Sequence, residues 1–150
     1  MDYKILNKLD NKSFADLERI MDSVTLKDYP LRKGMNFPSV MSYYLVSRWY
    51  DWNEEQRKNF KNCFPKEFAD ESLVGWVINF PGKEGCLDTQ DYWVEGRMAG
   101  YIIAYALSDN EIVINNVTVP VKRGQGIHFG LREYHEVRKS PKNQKWACLM

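Results

Sequence analysis

The strongest constraint on the fold is a series of short apolar segments in the second half of the chain, separated by turn residues. Residues 111–114 and 117–119 have strand-like composition, and Asn115 and Asn116 between them suit a two-residue hairpin turn. Asn tolerates the positive φ that such a turn requires. A Gly-containing turn at 122–126 then leads to another short strand at 127–129. Short strands with turns at spacings near ten residues predict a sandwich or barrel.

Further strands are predicted on both sides of this hairpin. Residues 74–80 alternate between large apolar and smaller or polar side chains, which is typical of a half-buried strand. Residues 101–107 are apolar on both faces, as expected for a strand in the centre of a sheet. Residues 134–137 and 145–150 continue the pattern, so the second half of the chain is predicted to hold about seven strands.

The first half of the chain has helical periodicity instead. A helix is predicted over about 14–23, where Ser13 and Asp16 approximate a capping box, and others over 38–50 and 51–64. Helices followed by strands indicate an α+β domain. We therefore expect one domain spanning 1–150, with a helical front over about 1–72 and a β-barrel core over about 73–150.

Composition excludes several classes of function. The 150 residues are 44% hydrophobic with a formal charge of +1, which provides no net field to attract nucleic acid or an anionic membrane. The three cysteines are widely spaced and form no Cys-x-x-Cys pair, so we expect reduced thiols and a cytoplasmic location. The sequence contains no apolar run of membrane-spanning length, and its first residues do not resemble a signal peptide.

Part of the chain resembles the 2-oxoglutarate/Fe(II) dioxygenase family. Residues 124–129 are similar to the Gly-containing turn and strand of that family, and His135 stands where its second iron-binding His would be. Lys145 follows ten positions later (145 − 135 = 10), the family spacing for the basic residue that pairs with 2-oxoglutarate. The resemblance covers about 74–150 and implies a double-stranded β-helix, or jelly-roll-like, barrel. A weaker resemblance of 124–128 to the cupins implies the same barrel.

The resemblance implies a metal site that is incomplete in this sequence. The family places His-x-Asp before the strand that matches residues 101–107, and these two side chains join the second His on one face of the iron. Here Asp91 matches the carboxylate, whereas Thr89 stands at the position of the first His. A neutral hydroxyl is a poor iron ligand compared with an imidazole. Asp91 and His135 are thus the candidate metal ligands, and Lys145 is the candidate cofactor-binding residue.

Each of these residues also has an interpretation without any ligand. Asp91 fits a turn or a partner for a basic group, His135 fits a half-buried imidazole with one hydrogen bond, and Lys145 fits an exposed lysine that protects a sheet edge. The second histidine of the chain, His128, has no place in the family's ligand set.

The incomplete site leads us to expect a catalytically degenerate protein that acts by binding a protein or a small molecule. No catalytic residue and no cofactor are expected under this hypothesis. The aromatic and Arg-containing run at residues 47–52 is typical of protein interfaces, although the same side chains also suit packing of the helices on the barrel. The alternative is an active oxygenase that uses Fe(II) and 2-oxoglutarate with an unorthodox third ligand. A third hypothesis is a metal-free small-molecule site at the barrel mouth.

Overall fold

The computed structural model describes residues 3–28, 45–68, 73–80, 89–91, 100–130, 133, 135–137 and 142–150. Within these ranges the α-helices are α1 (Asn11–Ser23) and α2 (Glu54–Asn62), and short 3₁₀ turns lie at Trp49–Asp51 and Lys66–Phe68. The strands are β1 (Tyr3–Leu6), β2 (Lys27–Asp28), β3 (Leu45–Arg48), β4 (Gly75–Phe80), β5 (Thr89–Asp91), β6 (Tyr101–Ala106), β7 (Asn110–Ile114), β8 (Val117–Val121), β9 (Gly126–Gly130), β10 (His135–Val137) and β11 (Gln144–Leu149).

These strands form two antiparallel sheets. The major sheet has seven strands in the order β1-β9-β6-β11-β4-β3-β2, and the minor sheet has four in the order β5-β10-β7-β8. One apolar cluster lies between the sheets and includes Ile102, Ile112, Phe129 and Trp146, so side chains from both sheets share it. This inter-sheet cluster confirms the predicted α+β arrangement of helices on a double-stranded β-helix barrel.

A second apolar cluster joins the helices to the other face of the major sheet. It includes Leu17 and Met21 of α1, Phe60 of α2, and Val77 and Leu149 of the sheet. Phe60 packs on the backbone of β4 at Gly75, where an added Cβ would overlap its ring. Each central strand of the major sheet is therefore buried on two sides, which explains the nearly continuous apolar sequence of β6.

Both described helices begin at side-chain caps. In α1 the cap is Asp10, whose Oδ1 accepts a hydrogen bond from the Ser13 amide at 2.8 Å, so the helix begins earlier than the predicted Ser13 cap. In α2 the Asn53 side chain and the Gln56 side chain each bond the other residue's amide, a reciprocal capping box. The predicted helices at 14–23 and 51–64 are confirmed with these adjusted ends.

The helix predicted over 38–50 is wrong over its described part. Leu45–Arg48 is strand β3, which pairs with β2 and β4, and residues 38–44 lie outside the described residues. Val46 and Ser47, which successive strand positions direct to opposite faces, are both buried. The first half of the chain thus contributes β1, which the sequence also suggested as a short strand at 3–6, and β2 and β3, which it did not, to the major sheet. In the described residues, neither helix is long and apolar enough to cross a membrane.

The Asn115-Asn116 turn provides a test of the hairpin between β7 and β8. Both residues have positive φ, 48° and 67°, as the sequence predicted. We expect Asn116→Val to lower the free energy of unfolding by about 1–2 kcal/mol, because a β-branched residue is strained at positive φ. Asn116→Gly should leave it nearly unchanged. Urea denaturation of the two variants checks this, and equal stability would contradict the assignment of strain to the turn.

Candidate functional site

In the minor sheet, His135 and Asp91 lie directly across from each other on neighbouring strands. β10 pairs with β5 in antiparallel register, with His135 opposite Asp91 and Val137 opposite Thr89. Directly opposite positions of an antiparallel pair lie on the same face of the sheet. Val137 belongs to the inter-sheet cluster, so the register puts all four positions on the barrel-facing side of the minor sheet. The two candidate metal ligands thus lie at neighbouring positions although they are far apart in sequence.

His135 is buried and its ring is fixed. Only 6% of the residue is exposed, and its ring centroid lies 4.9 Å from that of Phe129 in the inter-sheet cluster. Its Nδ1 lies 2.8 Å from the carbonyl oxygen of Glu133. A carbonyl can only accept a hydrogen bond, so Nδ1 carries a hydrogen, and in the neutral imidazole Nε2 then carries the lone pair. Metal-binding histidines commonly have this tautomer, held by the same kind of outer hydrogen bond.

A third ligand is not provided at the matching position. Thr89 lies two residues before Asp91 on β5, the position at which the oxygenase pattern has its first His. The described residues contain no group of three His, Cys, Asp or Glu side chains that would hold a metal ion. In the described part of the chain, the possible metal donors that lie together are therefore the imidazole of His135 and the carboxylate position of Asp91.

Lys145 does not join His135 inside the barrel. Along β11, Trp146 and Cys148 belong to the inter-sheet cluster, whereas Ala147 and Leu149 belong to the helix-side cluster. Successive side chains of a strand point to opposite faces, so Lys145 shares the helix-facing side with Ala147. The expectation that Lys145 converges with Asp91 and His135 in one pocket is corrected by this alternation.

The inward position at the start of β11 is occupied by Gln144. The residue is buried, and its Oε1 accepts a hydrogen bond from the Glu111 amide of β7 at 2.9 Å, which links the two sheets. Beside it, Asn110 Nδ2 donates to the Lys145 carbonyl at 2.8 Å, and the Lys145 amide donates to Ser108 Oγ at 3.0 Å. These bonds form a polar clamp, made of Ser108, Asn110, Glu111, Gln144 and the Lys145 backbone.

Sequence reasoning missed Gln144 because it counted positions from His135. The signal that identifies it is the alternation within β11 itself: if Trp146 and Cys148 face the barrel interior, so does Gln144. A neutral amide that accepts a backbone hydrogen bond has no positive charge to offer an anionic cosubstrate.

The residues that the structure describes around His135 do not fit the iron and 2-oxoglutarate of the oxygenases. The register puts His135 opposite Asp91 and Val137 opposite Thr89, and the inward position at the start of β11 holds the neutral Gln144. Two ligands are fewer than the three protein ligands by which open metal sites hold their ion.

The comparisons with known proteins agree with this fold. A prolyl hydroxylase from Trichoplax adhaerens, solved in complex with a hypoxia-inducible-factor peptide fragment, matches 99% of this chain and 82% of its own, with a TM-score of 0.67 and 14% identity. A prolyl-4-hydroxylase from Pseudomonas putida matches 99% and 90%, with a TM-score of 0.61 and 11% identity. The fold is that of the 2-oxoglutarate/Fe(II) oxygenases. No family model and no curated protein matches the chain by sequence.

A third structure with the oxygenase fold, an oxidoreductase of the 2OG-Fe(II) oxygenase family from Burkholderia pseudomallei, matches 99% of this chain and 84% of its own, with a TM-score of 0.61 and 9% identity. At identities this low the comparison establishes the architecture alone. A fold of this kind supports many functions, so the side chains at the site decide the activity.

The aromatic run near α2 is divided between core and surface. Trp52 is buried, its Nε1 donates to Ser47 Oγ at 2.8 Å, and its ring centroid lies 4.9 Å from that of Phe60. Trp52 therefore packs the helix on the sheet. Tyr50, in contrast, is 77% exposed. Of these two aromatic residues, Tyr50 is the one available to a partner at the surface.

His128 lies away from His135, on the helix-facing side of the major sheet. It is opposite Ile103 of the helix-side cluster, and its ring lies 4.9 Å from Tyr101 and 5.6 Å from Phe68, between centroids. Burial lowers the pKa of His128, nearby Lys4 lowers it further, and Glu67 opposes the shift. The structure thus separates the two histidines onto different sides of the major sheet.

Loss of a glutamine amide should lower the free energy of unfolding more in the polar clamp than at an exposed turn. Gln144→Leu should lower the free energy of unfolding by about 1–3 kcal/mol, because it removes the buried acceptor of the Glu111 amide. The matched control is Gln125→Leu, since Gln125 Oε1 accepts from the Lys122 amide at an exposed turn, where water replaces it. Its cost should stay below about 0.5 kcal/mol. Equal costs in urea denaturation would show that Gln144 has no clamping role.

Proposed function

We propose that this protein has the oxygenase fold without the oxygenase reaction, and that it acts by binding a protein or a small molecule. The observation that carries the proposal is the placement of Gln144. The inward position at the start of β11 holds a neutral amide whose oxygen is bonded to the Glu111 amide. Under this proposal the protein has the oxygenase fold and is catalytically degenerate.

Weak metal binding follows from the donor set. Asp91 and His135 provide two donors, and the hydroxyl of Thr89 is too weak a donor to replace an imidazole. Water molecules complete the shell of a metal ion held by two residues, but they do not raise its affinity for the protein. Iron is therefore expected to dissociate readily from such a pair.

Weak cosubstrate binding follows from charge. A carboxylate that leaves water without a cationic partner loses several kcal/mol of solvation free energy. Gln144 lacks the positive charge that would offset this cost, and its oxygen is already engaged by the Glu111 amide. The ammonium group of Lys145 belongs to the helix-facing side of the same strand. We expect 2-oxoglutarate to bind weakly at this end of the barrel.

A protein partner is supported by the exposed aromatic surface next to α2. Tyr50 is 77% exposed, and the neighbouring Trp49 ring lies under Arg57, 5.5 Å from its guanidinium carbon to the ring centroid. Aromatic and Arg side chains are enriched in the energetically important parts of protein interfaces. Such a surface suits recognition and requires no chemistry inside the barrel.

The competing function is an active oxygenase with an atypical metal site. It is favoured by two observations: His135 lies directly opposite Asp91, and the bond from His135 Nδ1 to the Glu133 carbonyl leaves Nε2 of the neutral ring available as a ligand. This candidate requires a third ligand of unusual kind and a different anchor for 2-oxoglutarate. It predicts tight metal binding by the unmodified protein.

The substitution Thr89→His separates the two candidates. We expect the unmodified protein to bind Mn(II), a redox-stable probe for Fe(II), weakly. Thr89→His should bind it about tenfold more tightly or better, because it adds an imidazole two positions from Asp91 on the same face of β5. Isothermal titration calorimetry measures both affinities.

The matched control is Thr118→His, which adds the same imidazole to an exposed position of β8 and should leave Mn(II) affinity unchanged. Tight Mn(II) binding by the unmodified protein would overturn the proposed function. Failure of Thr89→His to improve affinity, with the fold intact by circular dichroism, would show that a missing imidazole is not the reason for weak binding.

A further inference from the structure

Strand β1 is one edge of the major sheet, since it pairs with β9 on one side and ends the strand order there. An edge strand presents backbone N–H and C=O groups that can pair with another chain. Successive residues of an antiparallel strand direct these groups to opposite sides. The bonds of β6 and β9 therefore determine which residues of β1 point theirs outward.

The direction of bonding in β9 follows from β6. The Ala106 amide donates to the Gln125 carbonyl at 2.9 Å, so Ala106 bonds on the β9 side of β6. Ala104, two positions earlier, bonds on the same side, where it lies opposite Ile127. Ile127 therefore directs its own N–H and C=O toward β6.

The alternate residues of β9 bond β1. Gly126 and His128 lie opposite Leu6 and Lys4, so these two residues of β1 direct their backbone groups toward β9. Ile5 lies between them and consequently points its N–H and C=O away from β9. In the described part of the chain, no backbone group bonds the outward N–H and C=O of Ile5.

The other three edges of the two described sheets are less suited to pairing. β8 contains Pro120, which has no N–H to donate, β2 has two residues, and β5 has three. β1 has four residues and no Pro, and Ile5 is 38% exposed. Of the four edges, β1 is thus the one best suited to accept a further strand.

A cavity of about 350 Å³ lies along β1. One wall comes from β1 and the turn that follows it, residues 4–10, and the opposite wall comes from residues that follow α2, among them Phe64. We call it the β1–α2 cavity. Leu6 and Phe64 are buried members of the helix-side cluster, so the cavity lies on the helix-facing side of β1. A side chain on the same side of an added strand can enter it.

The charges around the β1–α2 cavity are balanced. Lys4 and Lys8 line it together with Asp10 and Glu67. Two positive and two negative side chains give neither an anion nor a cation a net attraction, so the lining favours an uncharged occupant. An apolar side chain gains free energy there, because it removes its own surface and that of Phe64 from water.

We propose that an extended, uncharged peptide segment of a partner protein adds to β1 as an antiparallel strand and inserts an apolar side chain into the β1–α2 cavity. Its backbone bonds the N–H and C=O of Ile5. The peptide residue opposite Ile5 lies on the barrel-facing side, and the residues before and after it face the cavity. The inference rests on the proposed binding function and names a site and a class of partner for it.

The probe is the blocked peptide acetyl-Ser-Val-Thr-Phe-Thr-Val-Ser-amide, titrated into the full ¹⁵N-labelled chain and followed by amide shifts in two-dimensional NMR spectra. With Phe in the cavity, the N–H groups of both Thr point to β1 and those of both Val point away. N-methylation of both Thr should weaken binding at least tenfold, whereas N-methylation of both Val should leave it nearly unchanged. The shifted amides should include Ile5, Leu6 and Phe64.

Two further peptides test the preference for an uncharged side chain. Replacing the Phe of the probe with Glu or with Lys should weaken binding about fivefold or more in both cases, because each charge loses hydration and gains no net attraction in the cavity. Tighter binding of either charged peptide than of the Phe peptide would contradict the proposal.

Ile5→Pro tests the same bonds from the side of the protein. It removes the outward N–H and no bond of the sheet, so the variant should keep its fold and bind the probe at least tenfold more weakly. The matched control Thr118→Pro puts the same residue at an exposed position of β8, two residues before Pro120, and it should bind the probe as the unmodified protein does. Circular dichroism checks both folds. If Ile5→Pro does not fold, the N-methylated peptides decide on the unmodified protein.

The proposal is overturned if the probe does not bind, if the two N-methylated peptides bind equally, if folded Ile5→Pro keeps the affinity, or if the shifted amides cluster around His135. It is also overturned if β1 pairs with β1 of a second copy, which analytical ultracentrifugation would show as a dimer that Ile5→Pro dissociates. Failure here is distinguishable from failure of the proposed function, because Mn(II) affinity and succinate production are measured at the barrel site without any peptide.

Discussion

The alternation of side chains along β11 is the constraint on which the rest of the structure depends. This strand lies in the middle of the major sheet, paired with β4 and β6. Trp146 and Cys148 fill the inter-sheet cluster, while Ala147 and Leu149 complete the cluster beneath the helices. A shift of one residue would exchange these two sets and disrupt both cores. The same alternation fixes Gln144 inward and Lys145 outward, so the packing of the core decides the chemistry of the site.

Much of the fold was predictable because its signals are local. The Asn115-Asn116 turn, the alternation of β4 and the apolar run of β6 each depend on a few neighbouring residues, and all three are confirmed. β3 was not predictable, because aromatic and β-branched residues happened to fall at helical spacing there, and pairing with β2 and β4 decided its conformation. Long-range pairing overrides local periodicity in such segments.

The candidate site was predictable only in part. The register of β10 and β5 puts His135 opposite Asp91, which are two of the three positions predicted to converge with Lys145. The choice of Lys145 depended on counting from His135 through a turn. Such a count does not consider which face of the next strand each residue occupies. Moving the inward position by one residue replaces the cation of Lys145 with the amide of Gln144. The Gln144 side chain links the two sheets, because its Oε1 accepts a hydrogen bond from the Glu111 amide.

The production of succinate from 2-oxoglutarate tests the central claim most directly. The unmodified protein is purified without oxygen, loaded with Fe(II), and exposed to oxygen and 2-oxoglutarate, and succinate is quantified with and without a chelator. The account predicts no succinate above the level found with free Fe(II) and no protein, because the described residues around His135 include neither a third strong ligand nor an inward cation. Robust, chelator-sensitive succinate production by the unmodified protein would contradict it.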